Sequence, residues 1–206
     1  MRTESSFFVV SVLTLALCIP AGSLQAYPLE IFTSNGDYYD SIDLDLDVEV
    51  TNGAGQVKFT FHNESLIDSS IAGIYFDDGS LLGTASILEG PGTLFSQPAT
   101  PNDLPAGNLL DPPFVTTDQF SIDGDPPPSH NGVNPGEWVQ ITFDLIGGGT
   151  LGDVIDELNT GVLRIGIHVI DLPDGSSESA VAVPEPTTIA LLGLAALALL
   201  RNRKKL

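Results

Sequence analysis

The 206-residue sequence predicts a mainly β fold: an antiparallel β-sandwich, jelly-roll or immunoglobulin-like, with one short helix. Three observations carry this. Apolar residues recur with period two in four stretches between Tyr27 and Val183, and turn-forming pairs separate those stretches. The third is composition, because 15 Pro and 21 Gly spread along the chain argue against an all-helical protein.

Taken in order, the first stretch alternates Ile42, Leu44, Leu46, Val48 and Val50 with Asp43, Asp45, Asp47 and Glu49, giving one apolar and one acidic face. Val57, Phe59 and Phe61 then alternate with Lys58, Thr60 and His62. Further on, Val139, Ile141, Phe143 and Leu145 alternate with Gln140, Thr142 and Asp144, and Leu163, Ile165, Ile167 and Val169 with Arg164, Gly166 and His168. Shorter strands are expected at 71–76, 84–88, 93–95 and 114–122. Turns fall at Asn52-Gly53, Asp78-Gly79, Gly90-Pro91-Gly92, Asn131-Gly132, Asn134-Pro135-Gly136 and Asp174-Gly175. Leu151, Val154, Ile155 and Leu158 have helical spacing instead, with Thr150 placed to cap and Gly161 to stop the helix. No internal repeat supports a propeller or solenoid.

The charge distribution sets the two ends apart. Between Tyr27 and Val183 the chain has 25 acidic residues, and its only basic ones are Lys58 and Arg164. Binding to nucleic-acid phosphates, which needs a basic patch, is not expected. The single cysteine, Cys18, excludes a disulfide framework and a CxxC zinc site. Arg2 precedes the apolar run Phe7 to Ile19, which is followed by Pro20, Gly22 and small residues up to Ala26. That is the layout of a secretory signal peptide over 1–26. Cleavage is placed after Ala26, with Ser23 as the second option. The mature protein then has no cysteine.

At the other end, Val183-Pro184-Glu185-Pro186 leads into the apolar segment 187–200 and the basic tail 201–206, which holds Arg201, Arg203, Lys204 and Lys205. Fourteen helical residues span roughly 21 Å, against a hydrocarbon core of about 30 Å. The segment is marginal as a permanent span and suits a transient hold on the inner membrane, with the basic tail at the cytoplasmic headgroups. The order of Pro-Glu-Pro, short Leu/Ala-rich helix and basic end resembles the PEP-CTERM sorting signal of bacterial exported proteins. The resemblance implies an exosortase as partner, processing the chain near Pro184, Glu185 and Pro186. Residues 27–182 form the ectodomain between the two addresses, and 183–206 the sorting signal. The stretches Ile74 to Gly79, Asn131 to Glu137 and Leu163 to Val169 are similar to an ectodomain type that recurs in PEP-CTERM proteins. That similarity implies secretion and brings no activity with it.

Candidate chemistry is sparse. The sequence contains no Gly-x-Ser-x-Gly and no HExxH, and His62, His130 and His168 show no metal-ligand spacing. Asp43, Asp45, Asp47 and Glu49 share one face of a strand at roughly 7 Å intervals. They are calcium candidates as well as a solvated, aggregation-blocking face, their repulsion eased by a cation or by Lys58 or Arg164 across the sheet. Asp77-Asp78-Gly79 and Asp123-Gly124-Asp125 read as turns. Asn63-Glu64-Ser65 fits the Asn-x-Ser pattern by coincidence, and Trp138 and Tyr75 are candidates for a carbohydrate platform. The expectation is a non-enzymatic, cofactor-free surface or extracellular-matrix protein, adhesive, structural or associated with extracellular polysaccharide. The alternative is a calcium-dependent binding domain or a weak glycan hydrolase using two of its acids.

Overall fold

A computed structural model of the chain describes residues 25–33 and 46–183. The expected signal peptide up to residue 24, Asp43 and Asp45, and the segment from Pro184 onward lie outside the described residues. In chain order the elements are β1 (Gln25–Ile31), β2 (Leu46–Gly53), β3 (Gln56–Asn63), β4 (Ser70–Asp77), β5 (Leu82–Glu89), β6 (Phe95–Ser96) and β7 (Ser121–Gly124). They continue with α1 (Pro128–Asn131), β8 (Trp138–Leu145), α2 (Leu151–Thr160), β9 (Arg164–Ile170) and β10 (Glu178–Ala182).

The mainly β, antiparallel expectation is met, but the layering differs from two separate sheets. All ten strands form one sheet in the order β5-β8-β3-β2-β1-β10-β9-β4-β7-β6, rolled into a nearly closed barrel. The reason is β1, which serves both halves. Gln25 to Pro28 pair with β2, and Leu29 to Ile31 pair with β10. Pro28 stands at the changeover; it has no amide hydrogen to give, and its carbonyl accepts from Val183 N at 3.1 Å.

Strict alternation marks the strands of the first half, β2, β3 and β8. Val48 and Val50, Phe59 and Phe61, Ile141 and Phe143 point inward and are buried. The β2–β3 turn falls two residues later than expected, at Ala54 and Gly55, where Gly55 takes a left-handed φ of 73°. A shift of two preserves parity, so the apolar faces still meet. Phe76 of β4 fills the space between the halves. Its ring meets those of Phe59, Phe61 and Phe143 edge-on, with centroids 5.1, 6.1 and 4.8 Å away.

The helix expected around Leu151 to Leu158 is α2. Thr150 and Asp153 form a reciprocal capping box, and Gly161 ends the helix at φ 72°. Val154 and Leu158 join it to the main core.

Three expectations need correcting. The strand expected at 114–122 exists only as β7; Gln119 takes a positive φ of 65°, and Phe114 packs its ring on the outside of the sheet. The strand expected at 93–95 is only the two-residue β6. Finally, β1 and β10 were not foreseen, and β1 begins at Gln25, before the expected cleavage point at Ala26.

Candidate functional site

The outer faces of the two halves differ. On the first half, the outward side chains run in rows across the strands: Thr51, Lys58, Thr142 and Ser86 in one, Glu49, Thr60, Gln140 and Leu88 in the next, and Asp47, His62 and Trp138 in a third. Two of the four calcium candidates, Asp47 and Glu49, stand here. Glu49 lies 3.8 Å from His62 Nε2, which has no hydrogen-bond partner among the described residues. Lys58 faces Thr51 rather than an acid, and Arg164 lies on the other half, so neither offsets this acidic row as expected. Among the described residues, no three His, Cys, Asp or Glu side chains are grouped to hold a metal ion.

On the second half, the outer face is covered by residues 97–116, a proline-rich strap between β6 and β7. Tyr75, Ala99, Leu104 and Phe114 make a second apolar cluster beneath it. Arg164 clamps the strap. Its guanidinium donates to the Pro112 and Pro113 carbonyls at 2.7 and 2.6 Å, pairs with Asp77, and sits 5.2 Å from the Phe114 ring centroid. Asp77 also accepts from Val115 N at 3.2 Å.

Both acidic turns are built into the scaffold. The Asp78 carboxyl accepts from the backbone of Ser80, Leu81 and Leu82, while burial pushes its pKa up. Asp123 accepts from Thr100 N at 3.1 Å and is likewise raised by burial. Glu157 of α2 is raised by burial and by the nearby Asp78 charge. Asn63 is fully buried, and its amide donates to Ser69 Oγ and the Val133 carbonyl, so its Asn-x-Ser pattern is closed to a glycan. Trp138 and Tyr75 lie on opposite outer faces and form no shared platform.

Two cavities open on the strap side. One, of about 390 Å³, lies between the strap at Leu110 and Pro112, the end of α2 at Gly161, and Val181 and Ala182 of β10. The other, of about 290 Å³, is lined by Gly73 and Tyr75 of β4, Asp123 of β7, His168 of β9, and Thr100 and Pro101 of the strap. Sequence reading missed this second group because the residues come from three strands and a loop with no local spacing to connect them. The only trace is their common outward parity.

The end of β10 is tied firmly into the fold. Glu178 is fully buried and accepts from Thr33 Oγ1, Thr33 Oγ1 accepts from Ser179 N at 2.8 Å, and Phe32 N donates to the Ser179 carbonyl at 3.0 Å. The strand stops at Ala182, and from residue 182 to 204 the chain matches the family model of the PEP-CTERM protein-sorting motif. It is a PEP-CTERM protein, an exosortase substrate. No curated protein and no solved structure matches it. The match contains Pro184, Glu185, Pro186, Arg201, Arg203 and Lys204, with Lys205 just beyond, all outside the described residues. Among the described residues, no helix is long and apolar enough to cross a membrane. The sorting signal supports export and a membrane-anchored precursor of this PEP-CTERM protein.

Proposed function

We propose that the mature chain is a bacterial surface or extracellular-matrix protein. Its rolled sheet serves as a non-catalytic adhesive, structural or polysaccharide-associated module. The observation that carries this reading is the junction itself: the sorting motif begins on the last residue of β10. Glu185 follows Ala182 by three residues, a length of chain that at ~3.3 Å per residue can reach no more than roughly 10 Å. The exosortase would therefore work at the foot of the domain, while segment 187–200 holds the chain in the inner membrane and the basic tail stays on the cytoplasmic side.

A non-catalytic role is supported by how the acids are engaged. Asp77 anchors the strap, Asp123 accepts from its backbone, Asp153 caps α2, and Glu178 is buried against Thr33. The proposal needs no cofactor. Calcium enters only through Asp43, Asp45, Asp47 and Glu49, and a shift in melting temperature at millimolar Ca²⁺ that the Asp47→Asn, Glu49→Gln double variant abolishes would revive that alternative.

The sorting reading is tested by expressing the full chain and its Glu185→Ala variant in cells with an active exosortase. The expected result is wild type released from the membrane fraction and the variant retained there. Equal retention of both contradicts it. Co-sedimentation with the cell's own extracellular polysaccharide tests the module's role; no enrichment over a β-sandwich protein of equal charge counts against the polysaccharide version.

A further inference from the structure

We propose that the cavity beneath the strap, around Tyr75, Asp123 and His168, binds a small organic ammonium ion. The inference goes beyond the sorting reading and stands or falls separately from it. The space exists because Gly73 in the floor has no side chain: a Cβ there would come to 2.6 Å from the Tyr75 hydroxyl. Pro101, Pro105, Pro128 and Ile170 supply apolar walls. At about 290 Å³, the cavity is at the small end for ligand sites and suits an occupant of a few heavy atoms.

Its polar groups are mainly acceptors. Tyr75 is only 3% exposed, yet its hydroxyl has no hydrogen-bond partner among the described residues. Asp123 presents a carboxylate that receives one strap N–H. Burial lowers the His168 pKa, so its imidazole is neutral and keeps an acceptor nitrogen.

The local field is negative. No basic side chain lines the cavity, and Arg164 is committed to Asp77 and the strap carbonyls. Asp123 and Asp103 both act on Tyr75, which with burial pushes its phenol up to about 12. Asp125 adds its charge beside Asp123. An anion is disfavoured here, and one carboxylate with one imidazole is too few ligands for a metal ion. An ammonium group matches each feature. Its N–H donors meet Asp123 and the Tyr75 oxygen, its charge is favoured against the aromatic ring, and its methylene or ring carbons contact the prolines.

The test is an NMR titration of the ¹⁵N-labelled full chain in a neutral, non-ionic detergent. The probes are n-butylammonium, methyl glucosaminide and methyl N-acetylglucosaminide. The last two share a ring and differ in the charge on nitrogen. Saturable shifts at Gly73, Thr100, Gly124 and His168 with the charged amines, and none with the N-acetyl compound, are expected. Butylammonium alone saturating supports the site and assigns it to free alkylamines; both amines saturating admits amino-sugar units. Asp123→Asn should weaken binding at least 10-fold. Asp125→Asn, outside the lining, should weaken it by a smaller factor and covers the case in which the first variant fails to fold. Failure of both amines to saturate these signals in wild type, equal binding of the N-acetyl compound, or undiminished binding in both variants overturns the proposal.

Discussion

The two outer faces of the rolled sheet hold the ectodomain's two basic residues and use them differently. Lys58 stands on the first half among Thr51, Thr142 and Gln140, on a polar face with no apolar cluster among the described residues. Arg164 stands on the second half, where it pairs with Asp77 and fastens a strap over a second small core. In a chain this acidic, a cation is scarce, and its effect depends on what surrounds it. A solvated cation contributes little, whereas one held at a half-buried junction determines whether a segment folds down.

The largest expected contrast is therefore between Arg164→Ala and Lys58→Ala. Removing Arg164 leaves Asp77 without its cationic partner and two strap carbonyls without their donor, and should cost about 2–3 kcal/mol. Removing Lys58 should stay within about 0.5 kcal/mol. Urea unfolding measures both, and equal losses would remove the distinction between the faces. Leu104→Ala, beneath the strap, should cost about 2 kcal/mol, and Leu88→Ala, 55% exposed on β5, less than about 1. Proteolysis within 97–116 should accelerate only in the Arg164 and Leu104 variants.

That difference in surroundings also explains what the sequence could convey. The first half was legible because its strands have one wet face, so β2, β3 and β8 alternate and the parity of their residues follows at once; in the second half β9 keeps the pattern through its half-buried Arg164 and His168. In β4, Ser70 to Phe76 are buried throughout because core and strap cover both sides, which erases the period-two signal. Phe114 looked like the start of a strand, and its partner under the strap, Tyr75, lies far away in sequence. β1 was concealed by the signal-peptide boundary, and β10, Glu-Ser-Ala-Val-Ala, is short and built from small residues. The sorting signal was fully legible because its three parts are contiguous, whereas the cavity of Tyr75, Asp123 and His168 exists only once the strands pair.

The pH response sharpens the comparison further. Glu157 and Asp78 have carboxyls raised by burial, so the folded state holds their protons more tightly than the unfolded chain does. Their protonation adds stability below the ordinary carboxylate range, and that contribution is lost as pH rises through the raised values. Glu157→Gln should raise the melting temperature at pH 7 by about 1–2 °C and flatten this slope. His168 acts in the opposite sense. Its depressed pKa gives stability above the ordinary imidazole range that is lost as pH falls through it, and His168→Gln should remove that step from a melting curve series. A further effect concerns the start of the mature chain. A chain starting at Tyr27 lacks the Gln25 and Ala26 pairs with β2 and should be about 1 kcal/mol less stable than one starting at Leu24.

Intact mass with terminal peptide mapping, on protein recovered from the envelope and medium of the producing cell, tests the central claim most directly. The expected product has lost its first 23 to 26 residues and ends near Pro184 to Pro186, with β10 complete through Ala182. A recovered chain that still ends at Leu206 in cells with an active exosortase would make the tail an ordinary anchor and contradict the account.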